Sequence, residues 1–152
     1  MWLYDPCTGE DVPWRFTDDD TDGVLVDIPL YTSMNIGERI VLVKSASAVN
    51  GEFPGQIPSG TQVFEWGDGK LANSDDKITL WSPGEWDTAD RKRYYIRVDR
   101  VVYSDGSHPV GDDPWPTAPD GEGSSLEKKT PLSLYGNDVI NWQADTASPG
   151  DP

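Results

Sequence analysis

Residues 77–81 (KITLW) and 94–103 (YYIRVDRVVY) carry the clearest structural signal in the chain, because apolar and polar side chains alternate along both. A period of two is typical of β-strands that have one face towards a core. In the second stretch the alternation slips where Asp99 and Arg100 stand side by side. We therefore predict two long strands, the second with a β-bulge or a change of sheet at these charged residues.

The rest of the chain predicts short strands and leaves little room for helices. The longest windows free of Gly and Pro are 38–50, 70–82 and 85–105, and each is interpreted as strand. ERIVLVK at 38–44 is apolar on both faces, which predicts a central strand. Short strands separated by frequent turn signals are typical of a β-sandwich, so the fold class is all-β. Weaker strands are predicted at 2–4, 14–17, 24–29, 62–66 and 125–128.

The 152 residues have the length of one domain, which we place at 1–152. Turn signals containing Gly, Pro and Asp recur along it, so the loops are expected to be long and rich in these residues. The stretch 106–123 is dense in Gly and Pro and is predicted to be a long, stiff loop that is pinned by Trp115. Residues 146–152 are interpreted as a tail at the end of the domain.

The net charge is −15 and it is uneven along the chain. Residues 1–37 hold eight acids and one base, residues 38–104 hold ten acids and nine bases, and residues 105–152 hold nine acids and two bases. Phosphate backbones and anionic membrane surfaces require a surplus of Lys and Arg, so neither is expected as a partner. Metal cations and basic partners fit better, and no apolar run has the length of a membrane span, so no membrane insertion is expected.

The inventory of reactive side chains argues against a nucleophilic hydrolase. It does not exclude a glycosidase, which needs only two carboxylates, but a short-stranded sandwich seldom provides the deep cleft that such an enzyme also needs. A hydrolytic nucleophile needs a base, and the only histidine is His108, which stands next to Pro109 in a loop. Cys7 is the single cysteine, which excludes an internal disulfide and a zinc site made of cysteines. We predict no catalytic residues.

The acidic stretch 18–23 reads DDDTDG and is the best candidate for a metal site. Its D-x-D-x-D-G spacing can place the oxygens of Asp18, Asp20 and Asp22 around one Ca²⁺ ion, while Gly23 permits a sharp turn. Pro29 stands where an EF-hand has its bidentate Glu, so a distant carboxylate would have to complete the shell. The alternative is an acidic turn exposed to solvent. Ca²⁺ is therefore a candidate cofactor.

Two tryptophans are candidates for contact with carbohydrate. Exposed indole rings in loops stack on sugars, and Trp86 and Trp115 fall in regions interpreted as loops. The other tryptophans lie in or near strand-like runs, where packing in the core is the simpler interpretation.

The longer segments, taken in order, resemble the lamin-tail domain, in the variety found in secreted or surface proteins of bacteria such as planctomycetes. The resemblance covers nearly the whole chain and depends on the order of the segments rather than on one of them. Its recurring positions correspond to turn, cap and core residues, namely Gly67, Gly69, Asn73, Asp99, Gly121, Ser125, Leu126 and Trp142. The segments that carry it are PWRF at 13–16, RIVLVKS at 39–45, VFEWGDGKLANSDDKITLWSPGE at 63–85, YYIRVDRVVYSDGSHP at 94–109 and the stretch 113–150.

This resemblance implies an immunoglobulin-like β-sandwich that acts as a non-catalytic structural or interaction module. It also implies an extracellular or cell-surface location and protein partners, either copies of the chain itself or neighbouring domains. The alternative function is a calcium-dependent or carbohydrate-binding adhesion module. The family supplies no catalytic residues.

The chain departs from the family at its beginning. Relatives open with a strand of the type E-F-I-E-L before the segment that here starts at Trp2, so the first strand of the sandwich is missing. The chain is then either a fragment of a longer product or a domain with an open sheet edge. An unpaired edge invites a strand from another chain, and we expect self-association through it.

Overall fold

The structure, a computed structural model, describes residues 2–4, 9–18, 23–107, 113–131 and 134–150. Within these residues the chain is mostly β, with one α-helix and several antiparallel sheets. The elements are β1 (Trp2–Tyr4), β2 (Asp11–Pro13), β3 (Arg15–Thr17), β4 (Leu25–Asp27), β5 (Ile40–Val43), α1 (Ala46–Glu52), β6 (Gln62–Glu65), β7 (Asp75–Asp87), β8 (Lys92–Ser104), β9 (Ser124–Lys128), a 3-10 turn (Val139–Asn141) and β10 (Trp142–Thr146).

The two stretches with a period of two form the longest strands, β7 and β8, as predicted. They pair as an antiparallel hairpin that closes at Asp87, whose carboxylate accepts hydrogen bonds from the backbone N–H groups of Asp90 (3.0 Å) and Ala89 (2.8 Å). These hydrogen bonds favour the charged form and lower the pKa of Asp87. The hairpin belongs to a four-stranded sheet with the order β4-β3-β7-β8.

β8 changes register one residue before the predicted position. Leu80 of β7 faces Asp99 of β8 across the pair. The next residue, Trp81, faces Arg97, so Val98 is an extra residue in β8. This is a β-bulge and not a change of sheet, because both sides of it pair with the same strand.

The predicted central strand at 38–44 is wrong. Among the described residues β5 pairs with β6 alone, and this pair is parallel. Only Val43 of β5 is buried, at 6% exposure, and Ile40 and Leu42 are half-buried because they border a cavity. The apolar run at 38–44 shows that both faces of the strand meet apolar surroundings. It does not show that other strands pair with both of its edges.

The window 38–50 is not strand throughout, which is a second correction. Helix α1 begins after Ser45, whose hydroxyl accepts a hydrogen bond from the N–H of Ala48 at 3.3 Å. The carboxylate of Glu65 on β6 accepts another from the N–H of Ala46 at 2.6 Å. Both bonds satisfy N–H groups of the first turn that have no partner within the helix.

The remaining strands form two antiparallel pairs, β1 with β2 and β9 with β10. The weaker predicted strands are confirmed as β1, β3, β4, β6 and β9, whereas β2 and β10 were not predicted. Residues 113–123 contain turns and bends and no strand or helix. Part of the predicted tail is packed, because a Cβ on Gly150 would lie 3.1 Å from Cγ2 of Val41 in β5.

One face of the four-stranded sheet is apolar. Phe16 of β3 pairs with Leu80 of β7. Ile78 of β7 pairs with Val101 of β8, and because the positions alternate, these four side chains share the face. We call it the inner face. Val101 is 7% exposed, whereas the other three are half-buried. The buried apolar residues of the described chain are few: Val24, Val26, Ile28, Val43 and Val101.

Candidate interaction surface

β8 is a long strand at the edge of the four-stranded sheet. It has thirteen residues, and β7 occupies one side of it while no described strand pairs with the other. An edge strand presents a row of unpaired N–H and C=O groups, which is a template for pairing with another chain. Short, covered or bulged edges limit this tendency, and β8 is long and only partly covered but carries the bulge at Val98.

The loop after β9 covers one end of this edge. The side-chain oxygen of Asn137 accepts a hydrogen bond from the backbone N–H of Val102 at 2.8 Å. Gly136 lies so close to Asp99 that a Cβ on it would be 2.7 Å from a carboxylate oxygen. Among the described residues nothing covers 92–98, and we call this part of β8 the open edge.

Three large apolar side chains of the open edge are exposed. Tyr94 is 48% exposed, Ile96 is 59% exposed and Val98 is 48% exposed. Single exposed apolar residues are ordinary on protein surfaces, but a contiguous group on an unpaired strand marks a contact site. Ser82 of β7 lies on the inner face, two residues after Leu80, and it pairs with Ile96 of β8. Ile96 therefore also lies on the inner face, beyond its packed part.

The open edge is also basic, in contrast to the rest of the chain. β8 contains four cations, Lys92, Arg93, Arg97 and Arg100, and one anion, Asp99, which gives a net charge of +3 and leaves −18 on the rest of the chain. The ammonium of Lys92 lies 4.5 Å from the centroid of the Tyr94 ring, a cation–π geometry.

The edge predicted from the missing first strand is also unpaired in the described structure. β1 pairs with β2 and with no other described strand. β1 has three residues, however, so it offers far fewer backbone groups than β8. Of the two edges, the open edge of β8 is the stronger candidate.

A second apolar surface lies on the loop between β4 and β5. Ile36 is fully exposed and Tyr31 is 70% exposed, with Leu30 and Met34 at 38% and 40%. Tyr31 has a positive φ of 65°, a conformation that non-glycine residues rarely adopt. Its hydroxyl donates a hydrogen bond to the carboxylate of Asp11 at 2.7 Å, which raises the pKa of Tyr31 and holds this loop to β2.

The predicted calcium residues are only partly described. Asp18 is 8% exposed at the end of β3, and its backbone N–H donates to the carbonyl of Val24 at 3.1 Å. Asp20 and Asp22 lie outside the described residues. Within the described residues, no group of three or more His, Cys, Asp and Glu side chains is arranged to hold a metal ion.

An acidic field is nevertheless present at this end of the sheet. The pKa of Tyr103 on β8 is raised to about 12, first because the ring is partly buried and then because Asp76, Asp18 and Asp75 lie near its hydroxyl. The hydroxyl donates to the backbone carbonyl of Ala72 at 2.8 Å. A cation bound near these carboxylates would reduce their mutual repulsion.

The other predicted residues divide between structural roles and regions outside the description. His108 lies outside the described residues. The Trp115 ring is half-buried, with its centroid 6.2 Å from that of Trp142 at a tilt of 49°, so it anchors its loop against β10. Trp86 is half-buried within β7, which is a strand and not a loop at this point.

No known protein family, curated protein or solved structure matches this chain. Within the residues that the structure describes, no helix has both the length and the apolar character needed to cross a membrane.

Proposed function

We propose that this chain is a non-catalytic interaction module of the lamin-tail type, an immunoglobulin-like β-sandwich from a bacterial extracellular or surface protein. Its partner adds a strand at the open edge of β8. The ordered segments that resemble the lamin-tail family and the mostly antiparallel β structure support the class. The observation that carries the mode of binding is a thirteen-residue edge strand with Tyr94, Ile96 and Val98 exposed.

The charge of the open edge indicates what kind of strand it takes. Two copies that met through β8 on both sides would bring cations together, which is unfavourable. An acidic strand is complementary to a strand of charge +3. The partner is therefore a different surface from the open edge, either on another protein or on a second copy of this chain.

The opposite edge of the same sheet, β4, has only three residues, like β1, but it lies beside the acidic stretch 18–22. β4 is unpaired on its outer side in the described structure, and Leu25 is 53% exposed there. Asp27 closes the strand, and its carboxylate is already paired with the guanidinium of Arg15 at 2.7 Å. We propose that β8 of one copy pairs with β4 of the next, so that the sheet continues from copy to copy in a head-to-tail contact.

Two single substitutions test this arrangement by sedimentation velocity. Ile96→Lys and Leu25→Lys place a charge on β8 and on β4, and each is expected to abolish self-association. A mixture of the two variants should form a one-to-one heterodimer, because each still holds one intact edge. Ile140→Lys, at a site 70% exposed outside both edges, is the control and should associate like the wild type.

The possible results distinguish the alternatives. A heterodimer in the mixture supports the head-to-tail contact. If Leu25→Lys associates like the wild type while Ile96→Lys does not, β8 binds some other surface. A wild-type chain that stays monomeric at about 0.15 M salt, where the repulsion between two copies of net charge −15 is largely screened, would contradict self-association.

A second candidate function is a calcium-dependent adhesion module. The observation that favours it is the burial of Asp18 where the acidic stretch 18–22 begins, at the end of β3. Ca²⁺ takes oxygen ligands from such carboxylates. The effect of calcium ions on the melting temperature tests it, because an ion that binds the folded state stabilises that state.

A further inference from the structure

A large cavity lies against the inner face of the four-stranded sheet. Its volume is about 560 Å³, within the range of pockets that hold small molecules. The cavity is open to solvent, so it is a cleft at the surface and not an internal void. Apolar side chains from both sides line it, including Phe16, Leu42, Ile78, Leu80, Val101 and Trp142.

The half-buried state of these side chains follows from the cavity. Phe16, Ile78 and Leu80 belong to the inner face, and Leu42 and Trp142 border the cavity as well, yet none of the five is fully buried. The indole N–H of Trp142 already donates to the carbonyl of Gly136 at 2.7 Å. Its ring therefore offers the cavity an apolar surface.

The charged side chains that line the cavity differ in how far neighbouring groups neutralise their charge. Both carboxylate oxygens of Glu38 accept hydrogen bonds from Asn35, one from its backbone N–H (2.7 Å) and one from its side chain (2.6 Å), and these bonds lower the pKa of Glu38. Lys128 lies 4.0 Å from the carboxylate of Asp99. Two cations at the wall, Arg39 and Arg100, have no hydrogen bond or ion pair from their side chains among the described residues, and Nε of Arg100 is buried.

Arg39 also stands between two environments. It lines the apolar cavity and a neighbouring cavity of about 530 Å³, whose lining is polar and includes Ser33, Thr61 and Gln62. A free guanidinium at such a boundary favours a ligand with an apolar body and an anionic end, because a carboxylate is matched by the planar fork of an arginine.

We propose that this cavity binds an amphipathic anion, with its apolar body between the inner face and Trp142 and its carboxylate on Arg39. The chemical class is a fatty or aromatic carboxylic acid. The site is separate from the open edge and does not depend on self-association. It gives this acidic chain a local attraction for an anion that its net charge of −15 would otherwise oppose.

The experiment compares dodecanoate with dodecanol as probes of the whole chain by isothermal titration calorimetry and thermal unfolding. We expect saturable binding, a higher melting temperature with dodecanoate, and an affinity for dodecanoate about tenfold or more above that for the alcohol. Arg39→Gln should remove this preference while leaving weak binding of both probes. Lys70→Gln removes a charge from an exposed residue that does not border the cavity, and it is the matched control.

A variant that fills the cavity provides an independent measurement. Leu42→Trp should lose binding of both probes, and circular dichroism reports whether it folds. If it does not fold, the Arg39→Gln comparison still decides the outcome. Failure of the wild type to bind either probe would overturn the proposal, as would equal affinities for acid and alcohol or an unchanged preference in Arg39→Gln. None of these results bears on the pairing of β8 with β4.

Discussion

Replacing Gly69 with Ala is expected to destabilise the chain through a specific contact between two turns. Gly69 has a φ of +82°, and a Cβ built on it would lie 2.7 Å from the carbonyl oxygen of Gly23 and 2.9 Å from its carbonyl carbon. Both are backbone atoms, so they cannot move aside as the end of a side chain can. The carbonyl of Gly69 also accepts a hydrogen bond from the ammonium of Lys44 at 2.9 Å, which fixes the turn to β5.

The same turn contains its own control. Gly67 has a φ of +70°, and a Cβ on it would meet nothing within 4 Å. Gly67→Ala therefore costs only the left-handed backbone conformation, about 1 kcal/mol. Gly69→Ala carries that cost and a further ~2 kcal/mol for overpacking against the backbone of Gly23.

The two variants are compared by urea unfolding, which gives the free energy of unfolding, and by thermal unfolding, which gives the melting temperature. Tryptophan fluorescence follows both. For a domain of this length about 1 kcal/mol corresponds to a fall of roughly 2 to 4 °C in melting temperature. Gly69→Ala is therefore expected to melt roughly 4 to 8 °C below Gly67→Ala, by the same scaling. Equal free energies of unfolding for the two variants would refute the close approach of the two turns. If neither variant were less stable than the wild type, the positive φ values of Gly67 and Gly69 would be refuted as well.

Three further results are expected. The pKa of Tyr103 in the folded chain is about 12 against an ordinary value of 10.0. The contribution of this raised pKa to stability should be fully present below pH 10 and should be lost as the pH rises through 12. Tyr103→Phe should remove that part of the decline, as measured by unfolding at alkaline pH. Ser45→Ala should cost about 1 kcal/mol by loss of the cap on α1, and an unchanged urea midpoint would contradict the cap. When calcium ions replace chelator in the buffer, the melting temperature of the wild type should rise and that of Asp18→Asn should not. If the melting temperature of the wild type does not rise, the acidic stretch 18–22 is a turn exposed to solvent.

The strands could be predicted where one periodicity dominated. The alternation in β7 and β8 specifies a half-buried strand, and the slip in it located the bulge to within one residue. The helix α1 could not be found in this way, because it has seven residues, no buried side chain and a glycine near its end. What stabilises its start includes the carboxylate of Glu65, which is distant in the sequence.

The sequence did not predict the basic open edge of β8, for a different reason. Charge summed over residues 38–104 is close to zero, and this average conceals the four cations of β8. A count over the predicted strand at 94–103 gives only +1, because Lys92 and Arg93 lie outside it. The cavity could not be predicted by any count, because its lining comes from strands that are far apart in the chain and from side chains, such as Leu42 and Trp142, that a sequence assigns to a closed core.

The bulge at Val98 links the cavity to the open edge. Without it, strict alternation from Val101 would place Arg97 on the inner face and turn Ile96 away from it. With the extra residue, Ile96 pairs with Ser82 and lies on the inner face, beyond the pair formed by Leu80 and Asp99. The bulge therefore keeps the apolar surface of the open edge in line with the cavity, while Arg97 is placed on the opposite face.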